Sequence, residues 1–260
     1  RRVPHPHHSP GSNDTMTAVR TAALRKSYGR ASVLKRVDLE VPGATIFALA
    51  GVNGAGKTTL IKCLLDFCCP SSGRIEVFGV DSRLTTARAN LAYLPERFVS
   101  PWYLDGAAFL RYVLALQRAA YEPQAVSRVL DRLDLDPSAL ERPVRQFSKG
   151  MTQKLGLAAC VLSGKQLLVL DEPMSGLDPK ARARLKTLLT DLRSQGRTIF
   201  FSTHALADID EIGDQLAILD GGLIRYSGTP ADCRSQYAAT TLEQAFLRCC
   251  EQAQAAEATA

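Results

Sequence analysis

Hydrophobic positions along the chain follow two different spacings. In the N-terminal part they form short β-branched or alternating runs with turn residues between them, which predicts strands. These runs cover residues 19–24, 33–41, 45–49, 74–78 and 91–94. Across residues 101–161 the apolar positions recur at helical intervals and strand signals are absent, so this segment is predicted to be a helical insertion.

The C-terminal part returns to strands that alternate with helices. Residues 167–170, 198–201 and 216–219 are continuous apolar runs, which are typical of parallel strands buried on both faces. Leucines between the first two runs follow a helical stripe. This alternation predicts an α/β protein with a parallel sheet. Residues 242–249 predict a short amphipathic C-terminal helix, after which the chain is expected to fray.

Composition adds a domain outline. Residues 1–15 are rich in Pro, His, Ser and Gly, and we expect a disordered N-terminal extension there. Residues 16–235 are expected to form the folded domain, and residues 236–260 the C-terminal helix and tail. The chain of 260 residues is 46% hydrophobic and 22% charged, which excludes a disordered or low-complexity protein.

Charge and cysteine content narrow the partners. A net charge of +6 is compatible with nucleic acid, anionic lipid or a nucleotide as partner. The sequence has no dense run of Lys and Arg, so nucleic acid is not expected as a partner. No apolar stretch reaches the ~18 residues of a membrane span. We therefore expect a soluble, cytosolic chain that forms no pore, with its seven cysteines reduced.

The clearest chemical motif is a glycine-rich segment, GVNGAGKTT at 51–59, between a predicted strand and a helix predicted at 58–67. It fits the phosphate-loop pattern, in which backbone N–H groups and a helix N-terminus converge on phosphate oxygens. Lys57 would reach the β- and γ-phosphates, and the Thr58 hydroxyl would bind Mg²⁺. The sequence therefore predicts a nucleoside triphosphate as ligand. The residues expected to contact it here are Asn53, Gly54, Ala55, Gly56, Lys57, Thr58 and Thr59.

An acidic pair supplies the counterpart. The apolar run 167–170 leads directly into Asp171 and Glu172. Asp171 would hold Mg²⁺ at the carboxyl edge of the sheet, and Glu172 would polarise an attacking water. Lys57 and Asp171 are 114 residues apart, and most of the intervening segment is predicted to be helical. Small P-loop kinases and GTPases do not usually carry such an insertion.

Over about residues 19–235 the sequence resembles the ATP-binding cassette of ABC transporters. The motifs that carry the resemblance occur in the family's order. After the phosphate loop and the acidic pair, they are Tyr28 in KSYG, YLPE at 93–96, FSKGM at 147–151, SGLD at 175–178 and STH at 202–204. The resemblance implies a P-loop NTPase fold, with a mixed parallel sheet, an N-terminal antiparallel β subdomain and a helical insertion.

The resemblance also implies roles for single residues. Tyr28 would stack on adenine, and Glu96 in the Q-loop would join Thr58 and Asp171 around the metal. Glu172 would act on water, with His204 and Lys57 at the γ-phosphate. Ser148 and Gly150 of the signature would contact the nucleotide of a second cassette, because the family pairs the signature of one subunit with the phosphate loop of another.

Four positions depart from the common family pattern, namely Val52, Glu96, Lys149 and Met151. A YSKGM-type signature and a YLPE Q-loop are familiar in exporter cassettes of the drug, polysaccharide and copper-maturation branch. The resemblance thus implies the ATPase subunit of an ABC exporter. It would pair with a second cassette, a homodimer being favoured, and would bind an integral membrane permease on the inner face of the cell membrane.

Two alternatives stay open from the sequence. One is a soluble, non-transport cassette of the translation or DNA-repair type. Such proteins carry two cassettes with a charged linker, or a long coiled-coil or zinc insertion, and neither feature is found here. The other is a cassette that binds ATP without turnover, and the presence of both Glu172 and His204 argues against it.

Overall fold

The computed structural model describes residues 16–99 and 101–258, and the extension expected at 1–15 lies outside these residues. Ten strands of the described chain form one sheet. The strands are β1 (Thr17–Tyr28), β2 (Ala31–Pro42), β3 (Ile46–Ala50), β4 (Ser72–Val77), β5 (Val80–Asp81), β6 (Leu91–Leu94), β7 (Leu167–Asp171), β8 (Thr198–Thr203), β9 (Gln215–Asp220) and β10 (Leu223–Gly228). The helices are α1 (Lys57–Leu64), α2 (Gly106–Leu116), α3 (Pro123–Arg132), α4 (Lys149–Leu162), α5 (Pro179–Ser194), α6 (Leu206–Ile212), α7 (Pro230–Gln236) and α8 (Leu242–Ala258).

The sheet has a parallel and an antiparallel half. Its strand order is β5-β4-β1-β2-β10-β9-β3-β8-β7-β6. Neighbours from β9 to β6 pair in parallel, whereas β1 pairs antiparallel with both β2 and β4. The two halves meet where β10 pairs in parallel with β2. This arrangement confirms the α/β fold with a mixed sheet and an N-terminal antiparallel subdomain.

Apolar side chains cover both faces of the parallel half. Every residue of β3, β7 and β8 is buried. Successive residues of a strand point to opposite faces, and Ala48 and Phe47 accordingly belong to different hydrophobic clusters. The cluster around Ala48 includes residues of α4, α5 and α8, and the cluster around Phe47 includes residues of α1. Burial on both faces fixes the carboxyl ends of these strands, which hold the candidate site.

The segment 101–161 is helical, as its spacing predicts. It contains α2, α3 and most of α4, with short 3₁₀ turns at Pro137–Glu141 and Val144–Gln146. Among the described residues of this segment, the strand-type pairing is one isolated bridge between Asp105 and Pro143. None of the helices in the described part of the chain is long and apolar enough to cross a membrane.

Several elements differ from the sequence prediction. The short strand β5, the half-buried β10 and the short helices α6 and α7 were not predicted, because their hydrophobic patterns are brief or mixed. Helix α1 ends at Leu64 rather than at 67, and Asp66 beyond it has a left-handed φ of 60°. The prediction that the chain frays after residue 250 was wrong for residues up to Ala258, because α8 continues to that residue. The added turns consist of Ala, Gln and Glu, which are strong helix formers.

Candidate nucleotide-binding site

A cavity of about 370 Å³ opens at the carboxyl ends of β3 and β7, beside the start of α1. Most of the residues predicted for the site line it. They are Asn53, Gly54, Gly56, Lys57, Thr58, Thr59, Glu96, Asp171, Glu172 and His204. Val33, Val52 and Ser175 complete the lining. Val33 was predicted only as part of a strand, with no sign of a functional role. Ser175 was recognised as the first residue of the SGLD motif, but no role was predicted for it.

The glycine-rich loop takes backbone conformations that need glycine. Gly54 and Gly56 have φ values of 84° and 111°. A Cβ atom on Gly56 would lie 2.9 Å from Cδ2 of Leu34, and one on Gly51 would lie 2.6 Å from the Leu219 carbonyl oxygen. The loop therefore passes close to two strands before α1 begins at Lys57. This strand–loop–helix arrangement directs a helix N-terminus at the cavity, which suits a phosphate group.

Lys57 is the cation of this loop. Its side chain is 7% exposed, and Nζ donates hydrogen bonds to the carbonyl oxygens of Gly51 at 2.7 Å and Val52 at 3.3 Å. Nζ also lies 3.7 Å from Oε1 of Glu172. The ammonium group is thus held between the loop backbone and the acidic pair, where a phosphate oxygen could replace its carbonyl partners.

Asp171 joins the phosphate loop to β8. Its Oδ2 atom accepts a hydrogen bond from Thr58 Oγ1 at 3.1 Å, and its Oδ1 atom accepts one from Ser202 Oγ at 2.5 Å. Asp171 and Ser202 are buried. A hydroxyl and a carboxylate oxygen side by side are the hard donors that Mg²⁺ prefers, so Thr58 and Asp171 fit a metal bound together with phosphate. Glu96 adds a carboxylate to the same cavity.

Glu172 has a strained backbone. Its φ of 51° is left-handed, a conformation that costs free energy for a residue other than glycine. The backbone N–H of Glu172 donates to Ser202 Oγ at 3.0 Å and to the Ser202 carbonyl oxygen at 3.2 Å. Its Oε2 atom lies 3.0 Å from Nδ1 of His204, a side chain that is 62% exposed. Sequence reasoning did not find this anchoring role of Ser202.

Comparison with known proteins identifies the family. The model of the ABC transporter family matches residues 34–175, more than half of the chain. The chain belongs to this family. The match spans the phosphate loop, the Q-loop segment, the signature segment and the acidic pair.

Two relatives and one structure support this. An ABC transporter ATP-binding protein of Nostoc sp. is 36% identical over 228 residues, covering 84% of this chain and 68% of the relative. The Nod factor export ATP-binding protein I of Rhizobium etli is 31% identical over 220 residues, covering 84% of this chain and 70% of the relative. A solved ATP-binding subunit of an ABC transporter is 30% identical, with a TM-score of 0.82, covering 90% of this chain and 99% of that one.

These findings confirm the ABC cassette fold and the assignment as an ATP-binding, ATP-hydrolysing ABC transporter subunit. The soluble, non-transport alternative is not favoured, because the relatives are named as transport components.

The predicted adenine platform of this ABC cassette lies outside the cavity lining. Tyr28 is half exposed, and its hydroxyl group donates a hydrogen bond to Cys68 Sγ at 3.6 Å. This hydrogen bond, together with burial, raises the pKa of Tyr28, and a hydrogen bond with Thr59 acts in the opposite direction. Nζ of Lys26 lies 4.8 Å from the ring centroid. Tyr28 thus stands next to the phosphate loop with one face partly covered by a cation.

Tyr93, in the Q-loop segment, remains neutral beside the acidic groups. Burial raises its pKa to about 12, and the charges of Asp171 and Glu96 act in the same direction. Its ring contacts Phe67 edge-on. The phenol therefore keeps its proton at physiological pH and packs beside the candidate metal ligands Asp171 and Glu96.

The signature residues of the cassette also lie outside the cavity. Ser148 caps α4 by accepting a hydrogen bond from the Met151 N–H at 3.2 Å. A Cβ atom on Gly150 would approach the Gly176 carbonyl oxygen to 3.2 Å. The Lys149 side chain lies against Gly176, so the start of α4 packs on the loop at 175–178. Ala55 of the phosphate loop does not line the cavity either. It is buried, and its N–H donates to the Val52 carbonyl oxygen.

Proposed function

We propose that this chain is the ATP-hydrolysing subunit of an ABC exporter that acts as a pair of cassettes on an integral membrane permease at the cytoplasmic face of the membrane. The observation that carries the catalytic part is the position of Glu172 between Lys57 and His204, in contact distance of both. A carboxylate in that position can act on a water molecule at the terminal phosphate of ATP bound in the glycine-rich loop.

The charges of the cavity support Mg²⁺ as the metal. Glu96, Asp171 and Glu172 face one lysine there. An ATP molecule would add further negative charge, and Lys57 alone cannot offset it. Mg²⁺ held there would supply positive charge against the phosphate groups. We propose Thr58 and Asp171 as its protein ligands, with Glu96 as an additional oxygen donor from the Q-loop.

Lys57, Glu172 and His204 would bind the phosphates and activate the attacking water. Lys57 would exchange its hydrogen bonds with loop carbonyls for bonds to the β- and γ-phosphates. Glu172 would orient the attacking water and take its proton at a carboxylate oxygen. His204 is exposed on the cavity side, and its imidazolium form, with a proton on each nitrogen, would donate to the γ-phosphate through one nitrogen and to Glu172 through the other. We propose Glu172, Lys57 and His204 as the catalytic residues.

The position of the signature supports a dimer. Ser148 and Gly150 lie outside the cavity of their own chain, on the face beside the loop at 175–178. We propose that they complete the phosphate site of a second cassette, with the Ser148 hydroxyl and the N-terminus of α4 directed at the γ-phosphate. One chain provides one phosphate loop and one signature, so a homodimer would hold two complete sites. Tyr28 would stack on adenine at the outer end of each site.

Export is proposed from the relatives. The Rhizobium protein is named for Nod factor export. This chain carries FSKGM at 147–151 and YLPE at 93–96, which resemble the YSKGM-type signature and YLPE Q-loop of exporter cassettes. Capture of the chain from detergent-solubilised membranes should bring down one integral membrane protein. Cargo should then accumulate in inside-out vesicles containing both proteins only when ATP is supplied, and accumulation without ATP would contradict the proposal.

Glu172→Gln tests the catalytic assignment. The variant should bind ATP and accumulate as an ATP-dependent dimer on gel filtration, because the amide keeps the side-chain shape but cannot take a proton. Its ATP hydrolysis should fall at least about 100-fold. Lys57→Ala should neither bind ATP nor dimerise, and Glu243→Gln, an exposed carboxylate on α8, should behave like wild type. Wild-type hydrolysis in Glu172→Gln would refute the assignment.

A further inference from the structure

A second cavity, of about 250 Å³, adjoins the nucleotide site. Glu172, Ser175 and His204 line it on the side of the nucleotide site. Arg182 of α5 and Asp208 of α6 also line it. Two of the three proposed catalytic residues, Glu172 and His204, therefore line the same cavity as a charged pair that the proposed mechanism does not use.

Asp208 is a buried carboxylate held by two cations. It is 3% exposed, and its Oδ2 atom accepts a hydrogen bond from Arg182 at 2.9 Å. Its Oδ1 atom lies 2.9 Å from Nζ of Lys186. Lys186 also contacts Glu211 at 2.7 Å. Burial lowers the pKa of Lys186, but the hydrogen bonds with the two carboxylates outweigh it, and the net shift is upward. Charged contacts on both oxygens explain how a carboxylate is tolerated inside the protein.

The elements joined by this contact begin next to functional loops. Asp208 lies in the first turn of α6, four residues after His204. Arg182 lies in the first turn of α5, and its backbone N–H donates to the carbonyl oxygen of Asp178, the last residue of the SGLD loop. The contact therefore links the segment that carries His204 to the loop at 175–178.

Apart from its contact with Glu172 at 3.0 Å, few contacts hold the His204 side chain. Its imidazole is largely exposed, so packing does not hold it. Helix α6 has seven residues and begins without a side-chain cap at Ala205, although the Ala205 N–H bonds to Thr203 Oγ1 at 3.0 Å. A helix of this length gains little stability from its own hydrogen bonds, and tertiary contacts must set its position. Leu206 and Ile209 bury its apolar face, while Asp208 ties it to α5.

We infer that Asp208 is a positioning residue for His204, and that Arg182 is the partner through which the loop at 175–178 affects this position. The inference rests on the proposed function for the role of His204 in hydrolysis. Placement of a reacting group within about 1 Å can change a rate by about 100-fold. Loss of the Asp208 contact should therefore lower the rate of hydrolysis without weakening ATP binding.

Asp208→Asn tests the inference. Its kcat should fall about tenfold or more while KM for ATP stays within about twofold, and Asp208→Glu should restore most of the rate. Asp210→Asn is the matched control, since Asp210 is on the same helix but pairs with Arg234, away from α5. Wild-type kcat in Asp208→Asn would overturn the inference, as would an equal loss in Asp210→Asn.

Arg182→Met provides a second variant that keeps Asp208 paired with Lys186, and so guards against a simple failure to fold. It should reproduce the fall in kcat, and the Arg182→Met/Asp208→Asn double variant should be no worse than Asp208→Asn. Additive losses, or parallel losses of kcat, KM and Tm, would indicate general destabilisation and overturn the inference.

A spectroscopic measurement separates this inference from the proposed function. His204 is the single histidine after residue 8, so its imidazole signals can be assigned in a histidine-labelled chain. These NMR signals should shift in nucleotide-free Asp208→Asn and remain unchanged in Asp210→Asn. An unshifted His204 signal overturns the inference even if ATP is hydrolysed. If the wild-type chain has no ATPase activity while Asp208→Asn still shifts the His204 signal, the proposed function is overturned and the inference on positioning is not.

Discussion

Ser202→Ala removes one oxygen atom that supports both members of the acidic pair. The hydroxyl donates to Asp171 Oδ1 at 2.5 Å and accepts from the N–H of Glu172 at 3.0 Å. The Glu172 N–H keeps its second partner, the Ser202 carbonyl oxygen at 3.2 Å. The main energetic loss therefore falls on Asp171, whose buried carboxylate gives up a charge-assisted hydrogen bond.

The size of this loss follows from the burial and charge. A hydrogen bond to a charged group contributes about 1.5–3 kcal/mol, against about 1 kcal/mol for a neutral one. Asp171 and Ser202 are both buried, so water cannot replace the hydroxyl. We expect Ser202→Ala to lower the free energy of unfolding by about 2 kcal/mol. In a domain of this size that corresponds to a Tm lower by about 4–8 °C.

Thermal unfolding without nucleotide measures this, and Ser163→Ala is the matched control. Ser163 is also buried, but its hydroxyl donates to a neutral acceptor, the Cys160 carbonyl oxygen, at 2.6 Å. That substitution should cost about 1 kcal/mol and leave kcat unchanged. Ser202→Ala should also lower kcat about tenfold, because Glu172 loses one of its two backbone anchors. A stability loss no greater than that of Ser163→Ala, or wild-type kcat, would refute this account of Ser202.

Two further predictions concern nucleotide binding. Tyr28→Ala should raise the Kd for ATP about tenfold by calorimetry, because base–aromatic stacking is worth about 1–3 kcal/mol. Tyr28→Phe should keep the affinity, and equal losses in the two variants would contradict stacking. Gly56→Ala should weaken ATP binding and lower Tm, because a φ of 111° is strained for alanine and the new Cβ would lie 2.9 Å from Cδ2 of Leu34. Gly79→Ala has a similar positive φ but open space around it, so unchanged ATP binding is expected there, and an equal effect would show that the contact with Leu34 is unimportant.

The parts of the fold that the sequence predicts well are those buried on both faces. Strands β3, β7 and β8 have no exposed position, so most of each strand is an apolar run, which is uncommon in strands that face solvent. Strand β10 escaped prediction because its sequence, LIRYSG, mixes polar and apolar residues on a largely half-buried strand. Helix α6 has seven residues, which is too few for a helical pattern of apolar positions to be recognised.

The site also has a part that the sequence predicts and a part that it does not, but for a different reason. Each functional segment is visible alone, because a glycine pattern or an acidic pair directly follows an apolar run. Their contacts depend on strand order and register, which the local sequence does not contain. Asp171 pairs with Ser202 across β7 and β8, so Glu172 lies one residue beyond one strand and His204 two residues beyond the paired position on the next. That register, together with the left-handed φ of Glu172, brings the carboxylate and the imidazole to 3.0 Å. A relaxed backbone at Glu172 would direct its side chain elsewhere, so the strained conformation is part of the geometry that holds the carboxylate beside His204.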